Sequence, residues 1–213
     1  MSEGDEERSA SEWDWIGAGG IGIGCCLMFA RRVTPERVIE AFGMDPGAAR
    51  LLPEARASEA LSFPVWDDTG QTVHPWVRAG RAGEWAFAID RSALDIVDYH
   101  GRIARGLSSG TDLAMFTWTQ SIDHFRYLAD GTEVTEFEPM AAWDRFGTEP
   151  DRFLREMRQS GLSADPDEDD ELIDLDPRIA LLEMLTLSLG IRLPADVALG
   201  PLLTVQRRDP VSQ

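Results

Sequence analysis

His124-Phe125-Arg126-Tyr127-Leu128-Ala129-Asp130-Gly131-Thr132-Glu133-Val134-Thr135-Glu136-Phe137 is the stretch on which the fold turns. Its two halves read as strands. Asp130-Gly131 between them is the pair best suited to a two-residue hairpin turn, whose two central positions take positive φ. A hairpin commits the sheet around it to antiparallel pairing. Working outward, Thr111 to Gln120, Glu84-Trp85-Ala86-Phe87-Ala88-Ile89-Asp90 and Trp76 to Gly80 read as further strands, the last two joined by a turn at Arg81-Ala82-Gly83. Cys25-Cys26-Leu27-Met28-Phe29-Ala30 is short, wholly apolar and bounded by Gly24 and Arg31, which suits a strand covered on both faces. Residues 44–75, with four prolines, read as a long loop holding one short helix.

Helices lie on either side of these strands. Thr34 caps one, with Pro35 at its first position, Val38, Ile39 and Phe42 on one face and Gly43 at its end. Thr148 with Asp151 opens another, with Pro150 in its first turn, Phe153, Leu154 and Met157 as its apolar face and Gly161 as its stop. Asp176-Pro177 opens a third that carries Ile179, Leu182, Leu185 and Leu189 and stops at Gly190. A short helical turn after Pro194 and a frayed tail follow. The order is not βαβ repetition; it predicts an α+β fold, a mostly antiparallel sheet of about five to six strands packed with N-terminal and C-terminal helices. The expected organisation is a disordered acidic lead at 1–12, an α+β domain at 13–162, an acidic linker at 163–176, and C-terminal helices at 177–206 packed on the same domain.

The chain has 213 residues, 43% apolar and 27% charged. At about 150 residues per domain this is one domain with a core of its own. All 20 basic residues are arginine, and there is no lysine and no asparagine. Their absence removes the P-loop lysine, the kinase ATP lysine, Schiff-base chemistry and N-glycosylation. The net charge of −18 is uneven: residues 1–14 and 165–176 together hold fourteen acids against Arg8 alone, which is −13 of the total. Two acidic appendages on a nearly balanced body disfavour nucleic acid and anionic membranes as partners, since both need a basic footprint.

Trp15 to Ala30 is uncharged for 16 residues but contains five glycines. It is too short and glycine-rich to span a membrane, and the acidic start lacks the basic region of a signal peptide. With two adjacent cysteines, Cys25 and Cys26, the expected setting is the reducing cytoplasm.

Four constellations touch on chemistry. Gly17-Ala18-Gly19-Gly20-Ile21-Gly22 has the dinucleotide-binding spacing, but a strand follows it where a helix is required. Gly106-Leu107-Ser108-Ser109-Gly110 has the nucleophile-elbow spacing, but it too leads into a strand. Cys25 or Cys26 with His74, His100 or His124 would make a thiol site, yet apolar flanks favour inert core cysteines on opposite faces. Asp165, Asp167 and Asp169 alternate as in a calcium loop, but Pro166 and Asp170 occupy positions that such a loop cannot give them. No catalytic set, metal site or cofactor is therefore expected. The residues that stand out for partner binding are Asp165, Asp167, Glu168, Asp169, Asp170 and Glu171.

The ordered signals also include Trp13-x-Trp15, Cys26-Leu27-x-Phe29 before Thr34-Pro35-Glu36, and Glu84 to Asp90. Leu107-Ser108-x-Gly110-Thr111, Phe125-x-Tyr127 with Asp130-Gly131, Phe137-Glu138-Pro139 and Arg145-x-Gly147 with Pro150-Asp151 complete the set. Together they resemble an uncharacterised family of soluble proteins common in high-GC Gram-positive, actinobacterial genomes, across roughly residues 11–200. The glycine-rich lead departs from that pattern, and the resemblance implies no activity, substrate or catalytic residue. It recasts the Ser108 motif as a family turn before a strand.

The functional expectation is a non-enzymatic cytoplasmic interaction module, immunity-like, antitoxin-like or an adaptor, that binds a basic protein partner through acidic complementarity. The alternatives are a small carboxylate- or thiol-based hydrolase and a structural subunit of a larger assembly. Partner identity, strand order and oligomeric state are left open.

Overall fold

The computed structural model describes residues 12–16, 25–60, 65–66, 72–73, 76–91, 98–119, 123–166 and 176–206. The apolar run that begins at Cys25 is the middle of the molecule. As strand β1 (Cys25–Arg31) it is flanked on both sides by antiparallel neighbours, β6 (Trp85–Asp90) and β7 (Asp112–Trp118), with Met28 opposite Ala88 on one side and Met115 on the other. Alternate residues of β1 enter two separate cores. Cys25, Leu27 and Phe29 face one, and Cys26, Met28 and Ala30 face the other.

Beyond β7 the sheet continues through β8 (Asp123–Ala129) and β9 (Thr132–Phe137). The hairpin joining them turns at Asp130 and Gly131 with φ of 47° and 73°, the positive pair that an Asp-Gly turn provides. Beyond β6 come β5 (Trp76–Ala82), β10 (Leu202–Gln206) and β2 (Arg50–Leu52), giving the order β2-β10-β5-β6-β1-β7-β8-β9. A separate pair, β3 (Val65–Trp66) and β4 (Thr72–Val73), makes a two-stranded ribbon.

Helices cover both faces of the main sheet. On the Cys26 face lie α1 (Pro35–Ala41), contributing Val38 and Ile39, and α3 (Asp98–Leu107), contributing Ile103 and Ala104. On the Cys25 face lie α4 (Leu154–Ser160) and α5 (Pro177–Leu189), with Trp13 and Trp15 packed beside them. Two short helices, α2 (Glu54–Ala60) and α6 (Ala195–Ala198), flank β2 and β10. The punctuation read from the sequence operates at several ends. Thr34 accepts from the Arg37 amide, Asp176 accepts from the Arg178 amide, and Gly161 and Gly190 close α4 and α5 in the left-handed region.

An α+β fold on an antiparallel sheet is what the structure has, but the main sheet holds eight strands, not five or six. The two additional strands are β2 and β10. β2 is three residues long, and β10 falls where the sequence reads a frayed tail. Leu203 of β10 pairs with Ala79 of β5 from the far end of the chain, a contact that leaves no local periodicity. One helix start is also displaced. α4 begins at Leu154, not near Thr148, because the backbone from Phe146 to Glu149 bonds along the outer edge of β9. That segment covers part of an edge strand, which would otherwise be open to pairing with another chain.

One side chain reinforces the strand pairing at the β5, β10 and β2 end of the sheet. Arg78 of β5 is fully buried and donates to Glu54 Oε2 at 2.6 Å, to the carbonyls of Ala198 at 2.9 Å and Gly200 at 2.7 Å, and to that of Leu52 at 3.2 Å. A single guanidinium thus ties β5 to α2, β2 and the entry to β10. Arg91 reaches the other Glu54 oxygen at 3.3 Å and lies over the Trp76 ring.

Candidate functional site

Cys26 lies in a polar row that crosses an otherwise apolar face. The registers place Asp90 of β6 opposite Cys26, Cys26 opposite Thr117 of β7, and Thr117 opposite His124 of β8. His100, in the first turn of α3, closes over the Asp90 end, with Nε2 2.7 Å from Asp90 Oδ2 and both side chains 1% exposed. This pair pins α3 to the last residue of β6. The thiols are sealed as well: Cys25 is 0% and Cys26 1% exposed. Burial, reinforced by the nearby Asp90 carboxylate, pushes both thiols well above their ordinary range. A thiol held protonated and shut from solvent is not a nucleophile.

The row reaches the surface at β8 and β9. Between Tyr127 and Leu128 the register slips: Tyr127 opposes Thr135 and Leu128 opposes Glu133, with Val134 as the extra residue between them. This bulge places Glu133 and Glu136, three apart in a strand, on the same face. Arg126 lies between them, with Nε 3.3 Å from Glu136 Oε2 and 3.9 Å from Glu133 Oε1, and His124 Nε2 is 3.4 Å from Glu136 Oε2. Gly101 of α3 makes room for this group, since a Cβ there would meet Arg126 Nη1 at 3.1 Å.

The electrostatics of the group are divided. Loss of solvent, aided by the hydrogen bond that protonated Glu133 donates to Glu136, raises Glu133 to about 7 against the pull of Arg126. Loss of solvent, aided by the Arg126 charge, lowers His124 to about 4. At neutral pH the cluster therefore holds a neutral imidazole beside a carboxyl that exchanges its proton in the physiological range.

A second feature begins where β9 ends. The connection from β9 to α4 starts with a 3-10 turn at Pro139–Ala141, whose Pro139 is buried together with Ala142. Met140, Trp143 and Phe146 point outward, 71%, 37% and 53% exposed. Phe146 is bridged to Glu136 by two backbone hydrogen bonds of 2.9 and 3.0 Å. Arg145 fixes the connection from within, donating to the carbonyls of Ala142 at 2.7 Å and Ala164 at 2.8 Å and to Asp151 at 2.7 Å.

Of the acidic residues picked out for partner binding, Asp165 is half-buried and ion-paired with Arg158 at 2.8 Å. Asp167, Glu168, Asp169, Asp170 and Glu171 lie outside the described residues, as do His74 and the glycine segment at 17–22. Ser108 is buried at the end of α3, with its hydroxyl directed to the Arg105 carbonyl at 3.3 Å. Helix, turn and strand follow one another there, the reverse of a nucleophile elbow. Among the described residues, no three His, Cys, Asp or Glu side chains cluster to hold a metal ion, and no helix is long and apolar enough to cross a membrane.

Sequence reasoning passed over the Glu133–Glu136 pair, because unbroken alternation puts residues three apart on opposite faces. Trp118 is buried, and Trp143 is at the surface.

The sequence matches a family described as Family of unknown function (DUF6461) over residues 7–198. No curated protein and no solved structure matches the chain.

Proposed function

We propose, for a chain that belongs to the Family of unknown function (DUF6461), a non-enzymatic role as an interaction module of the immunity, antitoxin or adaptor kind that binds a basic protein. The observation that supports it is the disposition of charge. Several surface arginines are engaged by the protein's own acids: Arg37 with Glu40, Arg56 with Glu59, Arg152 with Glu149 and Arg192 with Glu12. With 38 acids to 20 arginines, the field left for a partner is acidic. Such a field speeds association with a basic surface and disfavours neutral competitors. The proposal takes the cytoplasm of a high-GC Gram-positive bacterium as its setting, and it keeps the run at 165–171 as part of the attracting surface.

The test is affinity capture from host lysate at low and high salt, comparing the intact chain with a variant lacking 165–175. A basic protein retained by the intact chain, released by salt and bound more slowly by the variant is the expected result. Retention that is indifferent to both salt and the deletion would remove the basis for the proposal.

One observation favours a second reading, a small enzyme of carboxylate type. Glu133 titrates near neutrality beside Glu136 and His124, as a general acid or base would. A hydrolase screen in which activity follows Glu133→Gln would support that reading, and activity indifferent to the substitution would exclude it.

A further inference from the structure

We infer that the connection between β9 and α4 is a docking surface for a basic protein segment that presents an apolar side chain flanked by arginine or lysine, an inference that rests on the interaction role proposed above. Met140, Trp143 and Phe146 are its apolar centre. They follow one another at intervals of three along a connection that opens with the 3-10 turn at Pro139–Ala141 and ends in the bridge of Phe146 to Glu136. Trp, Phe and Met are the residue types enriched where interfaces are fully buried, and here they are held out to solvent.

The backbone beneath them is anchored. Phe146 is bridged to the β9 edge, Pro139 and Ala142 are seated in the core, and Arg145 is bonded to two carbonyls and Asp151. A connection so fixed cannot fold its side chains inward. A partner binding there need not order it, which lowers the entropic cost of association.

Charge selects the occupant. Of the six acids between residues 133 and 151, Glu133 and Glu136 face Arg126, Glu149 pairs with Arg152 and Asp151 with Arg145, and the other two are Glu138 and Asp144. Glu138 and Asp144 are exposed beside the apolar centre, and Glu136 is cross-strand to Phe146. A second copy of this chain would bring two acidic rims together, and an anionic surface would be repelled. A cationic rim around an apolar side chain complements both features.

The test uses a synthetic amphipathic peptide of leucine and arginine, its counterpart with glutamate in place of arginine, and the full-length protein. Amide NMR spectra and calorimetric titration at low and high salt are the readouts. The arginine peptide is expected to bind at low salt and shift the amides of 136–149, and the glutamate peptide is expected not to bind. The double variants Met140→Ser with Phe146→Ser and Glu138→Arg with Asp144→Arg are each expected to weaken binding by about tenfold or more. All of these side chains are exposed, and unchanged thermal unfolding would verify that each variant is folded. Binding that both variants leave unaltered, but that deletion of 165–175 abolishes, overturns this surface while the interaction role stands. Failure of the arginine peptide to bind the intact chain also overturns the surface, and the salt-dependent capture experiment then decides the role on its own.

Discussion

Glu133 and His124 share one cluster and are displaced in opposite directions, so their effects on stability oppose each other over part of the pH range. A carboxyl raised to about 7 from an ordinary 4.5 binds its proton more tightly in the folded chain. It therefore contributes stability that is fully present below 4.5 and is lost as pH rises to about 7. An imidazole lowered to about 4 from 6.5 binds its proton less tightly when folded, and contributes stability that is present above 6.5 and lost as pH falls toward 4. Between 4.5 and 6.5 the two slopes offset each other. With only the Glu133 slope left, His124→Gln should lose stability as pH rises from 4.5 to 7, and with only the His124 slope left, Glu133→Gln should gain it from 4 to 6.5. Urea midpoints across pH 4 to 8 measure both, and parallel profiles for all three proteins would refute the assignment. The individual residues of this cluster stand plainly in the sequence. Their meeting does not, because it depends on one extra residue in β9 that the alternation of side chains conceals.

Among the elements, those with chemical punctuation were legible. The Asp130-Gly131 turn, the Thr34-Pro35 start and the Gly161 and Gly190 stops each rest on a local conformational demand that only a few residue types meet. β2 and β10 were not legible, since what makes them strands is a partner distant in sequence. The start of α4 was misplaced for a related reason, because the sheet edge competes for the same backbone. Gly147 shows how closely that edge is covered. It has φ of 115°, and a Cβ there would lie 2.4 Å from the Val134 carbonyl oxygen. Gly147→Ala should destabilise by more than about 1 kcal/mol. Gly43→Ala, at φ of 73° with open space around it, should cost about 1 kcal/mol from backbone strain alone. Equal thermal shifts for the two variants would mean that the Val134 contact carries no cost.

For the molecule as a whole, Arg78 is where distant parts of the chain are fastened. Removing a buried guanidinium leaves Glu54 and three carbonyls without their donor. Arg78→Met should therefore cost about 3–5 kcal/mol, read as a lower urea midpoint. Arg91 still reaches Glu54 in that variant, so a loss below about 1 kcal/mol would show that it alone suffices. The position of β10 also bears on synthesis. When a ribosome makes this chain, the strands from β5 to β9 and β1 leave the exit tunnel with their partners already available or soon to follow. β2 emerges early and has no neighbour in the sheet until β10, the last strand in chain order, is released to fill the gap beside β5. Until then the outer edge of β5 is unpaired and the Arg78 carbonyl acceptors at Ala198 and Gly200 are not yet in place. The nascent protein thus passes through a stage with an open sheet edge, when a chaperone or another nascent chain has its best access to it.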